Sequence, residues 1–297
     1  MESKPSQTKN SSASIHPDTR LGTVHLTVSN LSRSLAFYER VIGLRVHAHT
    51  DGIAHLGAGG ADLLTLSEQP GARTHLRGYT GLYHFAILVP SRLELARALR
   101  RMLEARTPMD GYSDHKVSEA LYLPDPDGNG IEVYCDRPRS EWFDAQGNFR
   151  MATDPLDIES VLRELRAHPE PADRMDPATV IGHIHLHVAH IGQAEQFYVG
   201  ALGFELMARY GPSASFVSAG GYHHHVGFNT WAGVGAPPPP PNSVGLRYFE
   251  VRLPNPEALA QTVKRLRAAG VTALEERSNG VLVRDPSQNA MLLTLAP

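Results

Sequence analysis

The sequence predicts an α+β fold built from four β-α-β-β-β modules in two tandem halves, and three observations carry that expectation. First, the chain repeats itself at a constant offset of 160 residues. GTVHLTVSNLSRSLAFYERVIGLRV from Gly22 aligns with GHIHLHVAHIGQAEQFYVGALGFEL from Gly182, with identities at Gly22/Gly182, His25/His185, Phe37/Phe197, Tyr38/Tyr198 and Gly43/Gly203 among others. Second, each copy alternates like a half-buried strand, then reads as a short helix stopped by glycine, with further alternating strands behind it. Third, two weaker copies fill the gaps: LYHFAILVPSRLELARALRRMLEA from Leu82 and LRYFEVRLPNPEALAQTVKRLRAAG from Leu246.

The elements divide the chain in order. Residues 1–17 are polar and lack the apolar core of a signal peptide, which predicts a disordered tail. Modules one and two occupy 18–140, and modules three and four occupy 177–297. Between them, 141–176 is a polar, proline-dotted linker with one helical stretch around Ile158–Ala167, expected to pack across the halves. APPPPPN at 236–242 reads as a stiff polyproline connector. The Arg/Glu-rich helices at 92–106 and 257–268 read as solvated outer faces.

Composition removes several classes of function. At 297 residues, with 41% hydrophobic and 20% charged residues, the chain suits two globular domains. Its net charge of −3 offers no basic excess for nucleic acid. No apolar run approaches the roughly 20 residues of a membrane span, so the expected location is the cytoplasm. The single cysteine, Cys135, excludes an intramolecular disulfide and is expected to be a buried thiol. Sixteen histidines are the compositional oddity.

Two of the candidate residues stand in module two. His84 lies in its first strand, LYHFAILV. Glu132 lies in its last, directly after DPDGNG, on the face opposite Ile131, Val133 and Cys135. A glutamate among apolar neighbours on a central strand is costly unless paired or metal-bound.

Paired modules with a histidine opening one of them and DPDGNGIE closing it resemble the vicinal oxygen chelate superfamily. That group includes glyoxalase I, fosfomycin-resistance enzymes, bleomycin-binding proteins and extradiol catechol dioxygenases. More narrowly, IGHIHLHV, SAGGYHHHVGFNTWAG and TGLYHFAILVP resemble two-domain bacterial catechol-2,3-dioxygenases. The resemblance covers nearly all of residues 20–297. It implies that two modules curve into an open β-barrel around one metal, with ligands from the first and last strands of modules.

On that basis His84 and Glu132 are expected metal ligands. In the related enzymes the remaining ligand histidine precedes the Phe-Tyr pair by about 14 residues. That interval lands on His183 in module three and on Thr23 in module one. His183 is therefore the chosen third ligand. His25, roughly 6–7 Å further along its strand, is the reserve. Module four has Tyr248 and Leu292 at its ligand positions, so it should hold no metal. Ligands from modules two and three would make the active barrel draw on both halves, within one subunit or between two.

Two histidines and a carboxylate with open coordination positions suit Fe(II) and O2 as co-substrate, with Mn possible. The resemblance also implies an acid–base role for His224, a second active-site histidine at His115, and a hydrogen-bonding tyrosine at Tyr122. Read as a strand, HHH would put His223 and His225 on one face and His224 on the other. A surface or interface position is the plain alternative for any one of the three. His185 and His187 would line the barrel, His16 would sit in the tail, and His47, His49, His55, His75, His168 and His190 would be exposed or structural.

The leading expectation is an extradiol ring-cleaving dioxygenase acting on a small aromatic diol, with no nucleic-acid or membrane partner and homo-oligomerisation possible. The alternatives are a glyoxalase-like isomerase or transferase and a metal-free binding protein of the bleomycin-resistance type.

Overall fold

The computed structural model describes residues 14–74 and 77–296. Module one runs β1 (Arg20–Val28), α1 (Leu31–Phe37), β2 (Arg45–Thr50), β3 (Ile53–Gly57) and β4 (Asp62–Glu68). Module two runs β5 (Gly81–Leu88), α2 (Arg92–Glu104), β6 (Gly111–Asp114), β7 (Ser118–Pro124) and β8 (Gly130–Asp136). The linker contributes β9 (Asp154–Pro155) and α3 (Ile158–Arg163). Module three is β10 (Val180–His187), α4 (Ile191–Glu195), β11 (Glu205–Tyr210), β12 (Ala214–Ser218) and β13 (Val226–Asn229). Module four is β14 (Gly245–Leu253), α5 (Pro256–Ala268), β15 (Leu274–Arg277), β16 (Gly280–Arg284) and β17 (Ala290–Leu295). Among these described residues no helix is long and apolar enough to cross a membrane.

The helices begin where side chains can bind their free N–H groups. Ser91 caps α2 by accepting from Glu94 N, and Asn255 caps α5 by accepting from Ala258 N, with Pro256 in the first turn. In modules one and three the helix widens into a π-turn and stops at a left-handed glycine, Gly43 (φ 90°) or Gly203 (φ 86°). That last turn buries Tyr38 and Tyr198 completely. Tyr38 Oη donates to Asp125 Oδ2 (2.9 Å) and Tyr198 Oη to Asp285 Oδ2 (3.1 Å). Each of these aspartates also organises its own turn: Asp125 Oδ1 accepts from the N–H groups of Asp127 and Asn129, and Asp285 Oδ1 from those of Ser287 and Asn289. The DPDGNG motif is thus a turn held from inside by its first aspartate. Within each sequence half, a tyrosine of the first module is tied to the closing turn of the second.

Sheet pairing runs the other way. β1 pairs antiparallel with β14, and β5 with β10. Modules one and four share an eight-stranded sheet, while modules two and three share a nine-stranded one that ends in β9. Each of the halves 18–140 and 177–297 therefore gives one module to each sheet. Modules two and three meet within one chain.

Two expectations are corrected here. The stretch 92–106 is not a solvated face: α2 buries Leu95, Ala98, Leu99, Met102 and even Arg101, because it packs beneath α3 and the π-turn of module one. Arg101 is satisfied by donating to the carbonyls of Ile42 (2.8 Å) and Ala172 (2.9 Å). The ordered chain also starts earlier than the composition of residues 1–17 suggests. Ile15 is buried in the core and its N–H donates to Gly203 O at 2.8 Å. Residues 1–13 of the expected tail, and His75, lie outside the described residues.

Candidate metal centre

Strand register brings the candidate ligands together. On β5, Ala86 is paired with His183 of β10 on one side and with Glu132 of β8 on the other. His84, two residues before Ala86, points to the same face. Three donors from three adjacent strands therefore converge. Glu132 Oε2 lies 3.0 Å from His84 Nε2 and 3.1 Å from His183 Nε2. A register shift between Ile181 and His183 helps to place the latter, and it depends on Gly182, where a Cβ would collide with the Tyr134 hydroxyl. His25, the reserve ligand, belongs to the other sheet, where it stacks on Tyr248 with ring centroids 4.0 Å apart.

The three side chains are 6%, 2% and 1% exposed (His84, Glu132, His183), so their mutual contacts must account for them. They do so incompletely. His84 Nε2 faces the carboxylate out of hydrogen-bonding alignment and has no hydrogen-bond partner among the described residues. A buried polar atom left this way is costly. Two donors each ~2.1 Å from a common metal and at right angles lie ~3 Å apart, close to the separations found. Among the described residues this is the one group of three or more His, Cys, Asp or Glu side chains close enough to share an ion, all three donor atoms lying within 4.8 Å of one another. The donor set fits a divalent transition metal.

Electrostatics favour the ligating protonation states. Burial pushes the His183 imidazole down to about 4, so it is neutral at neutral pH. Burial alone would raise the Glu132 carboxyl, but the facing His183 and His84 imidazoles outweigh it and hold it well below the usual carboxylate range. Cys135 takes no part: it is a buried free thiol, pushed up to about 12 mainly by burial.

His84 and Glu132 form the floor of a cavity of about 740 Å³, with the third donor, His183, packed behind them. His115, Tyr122 and His224 line the same cavity. Tyr122 is paired with Glu132 across β7 and β8, and its hydroxyl is 2.7 Å from His115 Nε2. His115 Nδ1 is 2.7 Å from Ala152 O, which can only accept. Neutral His115 thus carries its proton on Nδ1, and Tyr122 donates to Nε2. Burial and the neighbouring Glu132 carboxylate raise the Tyr122 phenol well above 10, so it remains a donor.

The histidine run corrects a third expectation. Residues 223–225 precede β13 as irregular chain, so their side chains do not alternate, and none is at the surface. The His224 ring lies tilted against that of His183 with centroids 4.1 Å apart, and burial drives its pKa well below the ordinary value. His225 is structural, its Nδ1 accepting from Ala219 N at 3.2 Å. His185 and His187 do share the inner face, and Asn229 bridges them at 3.0 and 2.8 Å.

The rest of the wall was not foreseen. Tyr83, Phe216 and Trp231 join it from strands and loops, and Phe149 and Met151 come from the linker. The signal available was residue type alone, since aromatic and thioether side chains scattered along a chain do not reveal which of them share a cavity. The one arginine on the wall, Arg209, is neutralised by Glu195 through contacts of 2.7 and 2.9 Å.

Comparisons with known proteins agree with this architecture. The model of the Glyoxalase/Bleomycin resistance protein/Dioxygenase superfamily matches residues 20–133 and 180–291. The chain is 49% identical over 283 residues to a protein named catechol-2,3-dioxygenase from Bacillus subtilis (strain 168), covering 94% of this chain and 98% of that one. Among solved structures, a candidate dioxygenase from the same bacterium superposes with a TM-score of 0.63 at 15% identity, over 96% of this chain and 87% of that one. Glyoxalase I from Zea mays gives 0.56 at 14% identity, over 94% and 92%. At such identities those two likenesses concern the fold alone. Both sequence halves fall within one family model and nearly the whole chain aligns with one relative, so this protein belongs to the glyoxalase/bleomycin resistance protein/dioxygenase superfamily.

Proposed function

We propose that the protein is an Fe(II)-dependent extradiol dioxygenase that opens catechol or a substituted catechol, with His84, Glu132 and His183 as the metal ligands. The observation that carries this reading is the convergence of those three donors, two of them lining an aromatic-walled cavity that also holds His224 and the His115–Tyr122 pair. The naming of the 49%-identical relative points the same way. Bound there, Fe(II) would supply Lewis acidity that makes a phenol easier to ionise, and redox chemistry toward dioxygen.

The side chains have distinct tasks in this scheme. Only His84, Glu132 and His183 would hold the metal, so the protein would not close it off from substrate. Tyr83, Phe216 and Trp231 hold the ring and keep water away. His224, neutral in its buried site, accepts a proton from a substrate hydroxyl and can return it later. Tyr122, held protonated, gives its one O–H to His115 Nε2 in the structure and would turn it toward a substrate oxygen when catechol is bound. The three-membered donor group favours this reading over a glyoxalase-like isomerase, which would want a fourth ligand.

The test is anaerobic loading with Fe(II), or with Mn(II) in parallel, followed by oxygen and a panel of catechols. A yellow ring-fission product with consumption of one O2 per catechol is expected. An iron-loaded protein that turns over no catechol but isomerises a thiohemiacetal would replace this reading with the glyoxalase one.

A further inference from the structure

His223 has no task in the proposed chemistry, yet it is completely buried beside the group that does. We propose that Asp136 and His223 are positioning residues that fix the tautomer and orientation of His224, so that a bare Nε2 faces the cavity. The catalytic meaning of this inference rests on the dioxygenase reading, whereas the tautomer itself does not.

The argument follows the protons. Asp136 Oδ1 lies 2.9 Å from His223 Nε2. A carboxylate only accepts, so His223 Nε2 carries the proton. Neutral His223 then has a single acceptor, Nδ1, and this atom is 2.8 Å from His224 Nδ1. With His223 in that neutral form, the proton in the contact belongs to His224. With Nδ1 protonated, neutral His224 keeps its lone pair on Nε2. No described protein group bonds that nitrogen, and His224 lines the cavity. Had His223 the opposite tautomer, it would donate to His224 and leave a proton on His224 Nε2, where it could not take one from a substrate hydroxyl. Asp136 selects between the two states.

The surroundings fix the geometry of this chain of three groups. Tyr222 lies tilted over the His223 ring at 4.0 Å and Trp142 meets it edge-on at 5.2 Å. Tyr222 Oη also donates to Asp136 Oδ1 at 3.2 Å. Arg139 donates to the carbonyls of Gly220 and Gly221, at 2.9 and 2.7 Å, and so pins the loop that carries the histidines. Trp142 lies at the start of the linker and Arg139 just before it, so the junction of module two and linker acquires a role in the site. Neighbouring residues on a strand point apart, so the irregular chain at 223–225 is what lets two consecutive imidazoles meet. When His224 takes a substrate proton, an O–H bond breaks and an Nε2–H bond forms. The resulting imidazolium is hydrogen-bonded to His223, whose other nitrogen meets the Asp136 carboxylate. A carboxylate behind a base, holding its tautomer and balancing its transient charge, is a recognised use of such a group.

The test reads the tautomer directly. In the metal-free full chain labelled with 15N-histidine, two-bond proton–nitrogen correlations show which ring nitrogen of His224 carries hydrogen. Wild type should show Nδ1–H. Asp136→Asn and His223→Gln should move His224 toward Nε2–H. His223→Asn, whose Oδ1 falls near the lost Nδ1, should preserve it. After Fe(II) loading, the first two variants should keep iron and KM while kcat falls about 10²-fold, with His223→Asn much closer to wild type. Wild-type His224 found as Nε2–H, or Asp136→Asn leaving both tautomer and kcat unchanged, overturns the proposal. If His224 shows Nδ1–H that Asp136→Asn abolishes, but the loaded wild type cleaves no catechol, the positioning stands and the dioxygenase reading falls.

Discussion

The two sheets repeat one plan and part company at three positions. His84 faces His185 across β5 and β10, and Tyr248 faces His25 across β14 and β1, so Tyr248 stands where His84 stands. By the 160-residue offset Thr23 takes the place of His183. Leu292, three residues past Asn289, takes the place of Glu132, three past Asn129. In the eight-stranded sheet Leu292 packs with Leu282 and Ala290 against Tyr248. Thr23 is bonded instead by Arg252 (3.1 Å) and Glu250 (3.2 Å). One sheet closes its centre with apolar contacts and a part-buried ion pair of Glu250 with Arg252. Its twin keeps a buried carboxylate and two imidazoles that satisfy each other poorly. The fold evidently does not need those three donors, which is why they are best explained by a ligand.

The largest effect expected from breaking this contrast is all-or-none. Glu132→Leu, which copies Leu292 into the other sheet, and His183→Ala should each abolish stoichiometric iron binding, measured by metal analysis after loading. Copying all three positions (His84→Tyr, Glu132→Leu and His183→Thr) should leave the metal-free protein at least as stable as wild type, since replacing the whole buried group, unlike removing one partner, leaves no imidazole facing a lost carboxylate. Retained iron in both variants would sink the ligand assignment. Next in size, His224→Ala should retain iron and anaerobic catechol binding while turnover drops roughly 10²–10⁴-fold. An unchanged turnover number would make His224 structural.

Acid should separate the sheets more gently. Among the described residues every buried histidine, namely His84, His183, His185, His223, His224 and His225, belongs to the nine-stranded sheet or the loop beside β13. His183 is held down at about 4 by burial, against an ordinary value of 6.5. Unfolded chain therefore binds a proton that folded chain refuses, so stability falls as pH drops below about 6.5 and that loss is complete near 4. It amounts to about 3 kcal/mol for this group. Hydrogen exchange on metal-free protein should show β5, β8 and β10 losing protection between pH 7.5 and 5 before β1 and β14 do. Equal losses would mean the contrast has no energetic content. The smallest effect belongs to His25→Ala, which should keep iron and activity and cost no more than about 1 kcal/mol in thermal or urea denaturation.

Much of this was legible because the repeat is local. The strand alternation, the glycine after each Phe-Tyr helix and the interval from His183 to Phe197 are short-range patterns, as is the Asp-led turn that delivers Glu132. What stayed hidden is long-range. No periodicity in β1 announces a partner more than two hundred residues away in β14, and none in 141–176 says that Phe149 and Met151 will wall a cavity while Trp142 encloses His223. The burial of α2 was misread because Arg101 and Glu94 count as polar in any pattern, although their long side chains reach carbonyls and partners inside. Asp136 was passed over because it ends its strand like any solvent-facing carboxylate.

The crossed pairing of modules also imposes an order of assembly. Sheet partners are nested like brackets, with β5 and β10 inside β1 and β14. On a ribosome the inner pair can zip as soon as β10 emerges, completing the His84–Glu132–His183 group while module four is still being made. The strand synthesised first is the one that waits longest, because β1 keeps an unpaired edge until residues near 250 appear. A nascent chain stalled near residue 235 should therefore already bind metal, and it should also be the species most prone to stick to its neighbours through that waiting edge.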